Sequence, residues 1–298
     1  MKKKLSKLIA IAAAMCLLLC CLTACGDDSS APSGSNIPAA SEAPAEMTAA
    51  DIVALARTAE KNVKSLSYDM VMDMSMSGDG EEIAISTSGK YDYIIDPMSC
   101  KMDMTMDMGD MGGITYTLYM TSEDGQFVTY TGMDIGTGEL MWVKQTVEAD
   151  FIDQYDALAA TDTYLNLAEN FEIVGEEDVN GMAATHITGI FTGDALSQVI
   201  ESSGALDSVG VDTETVNALS GELGDMCIDM WIDLETGLCL KYEMDMCDLM
   251  QKLFENIDAE AEGISVDSLL VSMTVTSVDS IESIDIPEEA LNAQEFTL

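Results

Sequence analysis

Apolar and polar residues alternate along much of this chain, and methionine fills many of the apolar positions. Every second residue is a methionine from 70 to 76 and again from 102 to 108, with mostly aspartate, serine or threonine between. Successive side chains of a strand point to opposite faces, so each segment predicts a strand with one methionine face and one largely polar face. The methionines concerned are Met70, Met72, Met74, Met76, Met102, Met104, Met106 and Met108.

The same alternation, interrupted by turn residues, predicts an antiparallel meander. Further strands are predicted at 83–95, 114–120, 127–133, 140–147, 171–179 and 182–191. Glycine, aspartate and proline mark the turns between them, and Asn180-Gly181 favours a two-residue hairpin turn. Helical spacing predicts helices at 49–64, 149–170, 194–203 and 213–219, the first of them behind a capping box that begins at Thr48.

Residues 222–233 and 237–247 predict a further hairpin around Leu234-Glu235-Thr236. Matching the apolar faces of its two strands sets the register, since a one-residue slip would turn every side chain over. The resulting pairs are Ile232 with Leu238, Met230 with Leu240, Ile228 with Tyr242, Met226 with Met244, Asp229 with Lys241 and Trp231 with Cys239. In this register no disulfide fits within the hairpin, whereas Cys100 could pair with Cys227, Cys239 or Cys247 in an oxidising exterior.

The N-terminus has the pattern of a lipoprotein signal, predicted at 1–24. Four lysines lie among the first seven residues, an apolar segment runs from 8 to 22, and Leu22-Thr23-Ala24-Cys25 ends it. The alternative of a membrane-spanning anchor fits less well, because about 15 apolar residues are short against the ~20 that a spanning helix needs. We expect Cys25 to carry a diacylglyceryl group and palmitate, residues 25–46 to form a flexible tether rich in serine, alanine, proline and acid, and 47–298 to form one domain.

Acidic residues dominate the charge of the chain. Its 54 acids all follow Cys25, and four of its 12 basic residues lie in the predicted signal, so the mature chain would carry a net charge of −46. Such a chain repels nucleic acid and anionic membrane surfaces, and we predict no nucleic-acid partner. The expected location is the outer face of the cell membrane, where the lipid anchor holds the protein.

Neither a metal site nor a catalytic site is predicted. Methionines at every second position suit Cu(I), but they lack a histidine-rich or Cys-x-x-Cys partner, and no calcium-binding loop motif accompanies the acids. His186 lies in a predicted strand without a recognisable nucleophile motif, where a packed or surface role is the usual one. A glycosidase-type carboxylate pair is invisible among so many acids. We expect no cofactor and no enzymatic activity.

The sequence Trp231-Ile-Asp-Leu-Glu-Thr-Gly-Leu-Cys-Leu-Lys241 resembles a hairpin of the LolA and LppX/LprG group of lipoproteins and lipid carriers. The segment Gly175-Glu-Glu-Asp-Val-Asn-Gly181 and the order of the predicted elements are also similar to theirs. Cys239 departs from the pattern, since that group usually has proline there. The resemblance implies an α+β fold, namely a strongly curved antiparallel sheet, or incomplete barrel, with helices packed across its open side and a hydrophobic cavity between.

Together these patterns predict a lipoprotein that binds a lipid or another hydrophobic ligand in a methionine-rich cavity, with transport of that ligand as a candidate role. Methionine is unbranched and polarizable, so a surface built from it adapts to ligands of varied shape. The alternative is a non-catalytic structural or interaction lipoprotein with a solid core and no ligand; a protein partner is not indicated. The candidate cavity residues are Met70, Met72, Met74, Met102, Met104, Met106, Tyr116, Leu118, Met226, Ile228, Met230, Tyr242 and Met244.

Overall fold

The computed structural model describes residues 47–59, 63–78, 81–123, 126–134, 136–147, 157–202, 224–257 and 264–295. The predicted signal segment, the tether and the helix at 213–219 lie outside these ranges. The described residues form a curved, open sheet with a few helices, so the predicted α+β class with an incomplete barrel is confirmed.

Twelve strands form one sheet. In chain order they are β1 Ser65–Gly78, β2 Glu81–Ile94, β3 Ser99–Asp107, β4 Gly113–Glu123, β5 Gln126–Asp134, β6 Met141–Val147, β7 Glu169–Val179, β8 Met182–Phe191, β9 Met226–Ile232, β10 Cys239–Asp245, β11 Ile264–Val278 and β12 Gln294–Glu295. Their spatial order is β12-β6-β5-β4-β3-β2-β1-β11-β10-β9-β8-β7, and only the short β12–β6 pair is parallel. The alternation therefore predicted β1 to β10 correctly, although several ends differ by a few residues, and it did not predict β11 or β12.

The described ranges contain five α-helices: α1 Ala49–Ala59, α2 Ala157–Leu167, α3 Gly193–Ser202, α4 Cys247–Ile257 and α5 Glu288–Leu291, with a 3₁₀ turn at Gly109–Met111. The capping box predicted for α1 is present, since the Asp51 amide donates to Thr48 Oγ1 at 3.3 Å and the Thr48 amide donates to Asp51 Oδ2 at 2.9 Å. Hydrogen bonds from Thr48 also lower the pKa of Asp51. Helix α4, which alternation did not reveal, packs on β11.

The β9–β10 hairpin has a different register from the predicted one. Tyr242 pairs with Met230 and Met244 with Ile228, which is a shift of two residues, and a bulge lies between Cys239 and Lys241. A shift of two keeps every side chain on its predicted face, so the apolar pattern could not distinguish the two registers. The predicted Asp229–Lys241 and Trp231–Cys239 pairs are therefore wrong: Asp229 lies opposite Glu243, and Lys241 lies opposite Trp231.

The first strand, β1, and the last long strand, β11, pair at the centre of the sheet along nearly the whole length of β1. Asp279, just after β11, fixes this junction: its carboxylate accepts the Lys64 amide at 2.7 Å, and its own amide donates to the Ser65 carbonyl at 2.8 Å. One large apolar cluster covers one face of the sheet, here called the inner face. A smaller cluster around Tyr119, Tyr130 and Ala290 lies on the opposite, outer face of β4–β6.

The sequence left open a disulfide from Cys100 to Cys227, Cys239 or Cys247. Among the residues that the structure describes, Cys100, Cys227, Cys239 and Cys247 form no disulfide. Burial and the neighbouring Asp245 and Asp248 raise the pKa of the Cys247 thiol.

Candidate ligand-binding face

Strand register aligns the candidate residues in rows that cross the sheet. One row spans nine strands, from β8 to β5 across the β1–β11 junction, and is apolar or aromatic apart from one glycine. Its members are Ile187, Met230, Tyr242, Met273, Met70, Gly89, Met104, Tyr116 and Met133. Since neighbouring strands lie about 4.8 Å apart, this row forms a band roughly 40 Å long around the curved sheet.

A second row runs beside the first, two residues further along each strand. It contains Ile228, Met244, Val271, Met72, Thr87, Met106 and Ile114. Thr87 is the single polar residue in it. The remaining candidates lie in adjacent positions of the same face, with Met74 beside Leu269, Met102 beside Leu118, and Met226 beside Phe191.

All thirteen candidate residues thus belong to one continuous inner face. Twelve of them are only 0–6% exposed, and Tyr116 is half-buried against the same cluster. The structure therefore places the candidate residues of β1, β3, β9 and β10 on one shared apolar surface.

Three members of this face were missed by the sequence reasoning. Tyr68 and Tyr91 stack with ring centroids 4.6 Å apart, and the Tyr91 hydroxyl lies 4.0 Å from the sulfur of Met70. The Tyr91 ring folds over Gly89, where an added Cβ would lie 2.7 Å from it. The third is Met273. Along β2, Thr87, Gly89 and Tyr91 alternate with polar residues. This pattern is harder to recognise as one buried face than a run of methionines.

Helix α2 packs directly on the β8–β10 side of the inner face. Its Tyr164 ring meets Tyr242 at 5.3 Å and Phe191 at 5.9 Å, both edge to face. Tyr164 and Tyr242 also share a hydrogen bond, and burial raises the pKa of both phenols. Arg57 of α1 donates to the Leu165 carbonyl and so holds the C-terminal end of α2. The sequence predicted a helix at 149–170, and the helix that the structure describes there, α2, covers Tyr242.

The family comparison identifies one match. The model described as "Family of unknown function (DUF6612)" matches residues 48–164, which comprise α1, β1–β6 and most of α2. No curated protein matches the chain.

Solved structures provide the second comparison. LprF from Mycobacterium bovis is similar at 12% identity, with a TM-score of 0.47, over 81% of this chain and 97% of that one. The lipoprotein LppX from Mycobacterium tuberculosis is similar at 13% identity, with a TM-score of 0.40, over 80% and 98%. A DUF1329 family protein from Desulfovibrio piger follows at 10% identity and a TM-score of 0.25. At such identities the likeness concerns the fold alone.

The outer face carries a polar cluster around Trp231. His186 stacks on the indole at 4.2 Å, Lys241 lies 4.2 Å from it on the neighbouring strand, and the indole N–H donates to Glu177 at 2.9 Å. The nitrogens of His186 lie 3.2 Å from Glu177 and 2.9 Å from Asp229. The hydrogen bond from Trp231 lowers the pKa of Glu177. The histidine is therefore placed away from the methionines, in a packed surface cluster.

The outer face also has a shallow groove of about 270 Å³ between β1, β2 and β3. Five of its eight lining residues are aspartate, serine, threonine or lysine. Within the described ranges, no group of three histidine, cysteine or acidic residues is arranged to hold a metal ion. No helix in those ranges is long and apolar enough to cross a membrane.

Proposed function

We propose that this protein is a membrane-anchored, extracytoplasmic lipoprotein that binds a lipid or another hydrophobic ligand against its inner face and does not act as an enzyme. The observation that carries the proposal is the continuous methionine-rich face, which crosses nine strands of an open sheet. An ordinary core needs no such flexible lining, because leucine and isoleucine pack with better-defined rotamers.

Methionine gives this face a way to admit a ligand. Its side chain has three rotatable bonds, so neighbouring residues can repack around an inserted chain at little cost. Each acyl methylene moved out of water contributes about 0.8 kcal/mol. Since association costs an estimated 4–15 kcal/mol, the acyl chain needs at least about five methylenes to offset the smaller cost, and longer chains should bind more tightly.

The N-terminal pattern supports a location at the membrane. A lipid on Cys25 and a tether of 21 residues between it and Met47 would let the domain stand roughly 25–30 Å from its anchor. The acidic charge repels anionic headgroups, so the anchor would keep the domain near its lipid source without drawing the outer face onto the bilayer. Transport of the ligand is the role that this arrangement favours.

A structural lipoprotein with a solid core is the second candidate. Two observations favour it: twelve of the candidate residues are almost fully buried in the ligand-free chain, and the Tyr164 ring already occupies the space over Tyr242. On this alternative the methionines would be core residues only, and no ligand would accompany the protein.

The deciding experiment is native mass spectrometry of the full chain, purified gently from its own host and compared with a denatured sample. The proposal predicts an adduct of lipid mass that is lost on denaturation and is additional to the lipid attached at Cys25. A chain that carries its covalent lipid and nothing else would favour the solid core.

Substitution of Met70 and Met104 by leucine tests the role of methionine itself. The change conserves volume and should cost less than about 1.5 kcal/mol per site, but it stiffens the two side chains that flank Gly89. We expect the double variant to fold and to bind a narrower range of acyl-chain lengths, measured by displacement of a fluorescent acyl probe. Met141→Leu, at an exposed position of β6, is the matched control. An unchanged range in the double variant would contradict the adaptive role.

A further inference from the structure

Thr87 is a polar residue at the centre of the methionine face. It lies in the middle of β2, opposite Met72 on one side and Met106 on the other, and its neighbours along the same face are Ile85 and Gly89. Its side chain is fully buried, and within the described part of the chain its hydroxyl has no hydrogen-bond partner, whether oxygen, nitrogen or sulfur.

An unpaired buried hydroxyl is unusual, because the large majority of buried polar side chains are hydrogen-bonded and the exception calls for a physical reason. Valine has nearly the same shape and would fill this place without the loss of a hydrogen bond. Other buried threonines of the described residues are hydrogen-bonded, such as Thr117, whose hydroxyl donates to Asp103 at 2.9 Å. Thr129 is buried on the same inner face, and its hydroxyl donates to the Gln145 carbonyl at 3.3 Å.

We propose that the Thr87 hydroxyl binds an uncharged oxygen of the ligand, namely the hydroxyl or ester carbonyl of an acyl-chain amphiphile. This inference rests on the proposed function and specifies the ligand's chemistry. A threonine hydroxyl can donate to a carbonyl and can also accept from an alcohol, so it matches both groups. The ligand oxygen is uncharged because the flanking residues are thioethers and aliphatics, and Lys90 lies on the outer face.

The adjacent residues indicate where the ligand would enter. Gly89 follows Thr87 on the same face and has no side chain, and the space above it is filled by the Tyr91 ring. Met70 and Met104 flank this glycine. Rotation of these flexible side chains and of the ring would open a place beside the hydroxyl, with the acyl chain lying along the methionine rows.

The test compares 1-octanol with octane, which differ by one hydroxyl. The protein is the mature chain from residue 25 with Cys25→Ser, so that no covalent lipid competes, and binding is measured by displacement of N-phenyl-1-naphthylamine. For Thr87→Val we expect a loss of octanol affinity of about threefold to tenfold, the size of one hydrogen bond, and unchanged octane affinity. Thr87→Ser retains the hydroxyl and should bind octanol as the natural sequence does. Thr129→Val, the matched control, should alter neither affinity.

Three outcomes would overturn the inference. Full octanol affinity in Thr87→Val would show that the Thr87 hydroxyl does not bind the ligand, whereas the proposed binding of a hydrophobic ligand would still stand. Failure of Thr87→Val to fold would show that the hydroxyl already has a structural partner, since removal of an unpaired hydroxyl should leave the melting temperature equal or higher. If the natural sequence bound neither compound, the proposed function would be refuted, and with it the role of Thr87.

Discussion

At the scale of single residues, Gly237 explains why the hairpin sequence has a glycine after Thr236. Its φ of +79° lies in the left-handed region, and a Cβ there would come within 2.8 Å of the Ala59 Cβ and 3.0 Å of the Leu55 carbonyl. The turn is further held by Asp233, which accepts from the Thr236 hydroxyl at 2.6 Å. The motif therefore joins the β9–β10 hairpin to helix α1, and it needs glycine for both conformation and contact.

Gly237→Ala should consequently destabilise the protein more than the conformation alone requires. Gly138 has the same φ of +79° but no atom within 4 Å of an added Cβ, so Gly138→Ala measures the conformational cost by itself. We expect about 1 kcal/mol for Gly138→Ala and a further 1–3 kcal/mol for Gly237→Ala, from the overpacked contact with α1. Urea unfolding of both variants provides the comparison. Equal losses of unfolding free energy in the two variants would mean that α1 moves away from the added methyl group without cost.

At the scale of elements, the contact between α2 and β10 makes a pH-dependent prediction. Burial raises the pKa of Tyr164 and Tyr242 above the ordinary value of about 10, so both phenols resist ionisation in the folded state. A pKa raised on folding gives stability that is complete below the unfolded pKa and is lost as pH rises beyond it. We expect the free energy of unfolding to fall steeply above about pH 10.

Tyr164→Phe is the variant that tests this contact. It removes one buried phenol and should make the alkaline loss of stability shallower, while it costs about 1 kcal/mol at neutral pH through the lost hydrogen bond. Chemical denaturation at a series of pH values gives both quantities. If the variant keeps the full alkaline slope, the ionisation that destabilises the fold lies elsewhere.

The elements also show how far the sequence alone determines this fold. Period-two alternation identified the strands and their faces because each strand has one buried side, as in β1 with its four methionines. It could not fix the β9–β10 register, since the pairing beyond the bulge at Cys239 differs from the predicted one by two residues, which leaves the faces unchanged. Nor did it reveal the pairing of β1 with β11, which joins residues more than 180 positions apart and so leaves no local pattern in the sequence.

The candidate site was predictable to a similar degree. The methionine strands were identified from spacing, and the structure places them together. Thr87 was not identified, because a threonine in an alternating strand is ordinary until its neighbours on both sides are known to be apolar. Tyr164 was identified only as part of a helix, since helical spacing does not show which sheet residue a ring will contact.

At the scale of the whole molecule, the excess of acidic residues should make stability depend on salt. The sequence has 54 acids and 12 basic residues, and mutual repulsion of its charges opposes compaction. Because the screening length falls from about 30 Å at 10 mM salt to about 8 Å at 150 mM, we expect the melting temperature to rise over this range. Calcium chloride at equal ionic strength tests for a specific ion: a rise well beyond that with sodium chloride would indicate a cation site, and we expect no such excess.

The two edges of the sheet differ in strand pairing and in charge. At one edge, strand β12 pairs with part of β6. At the other edge, β7 pairs only with β8 among the described strands. Strand β7 pairs irregularly with β8 at two points and carries Glu169, Glu172, Glu176, Glu177 and Asp178. If two molecules met edge to edge there, ten carboxylates would be brought together along a distorted backbone. Neighbouring copies of the protein should therefore resist joining their sheets into fibres, even though Ile173 and Val174 are exposed on that strand.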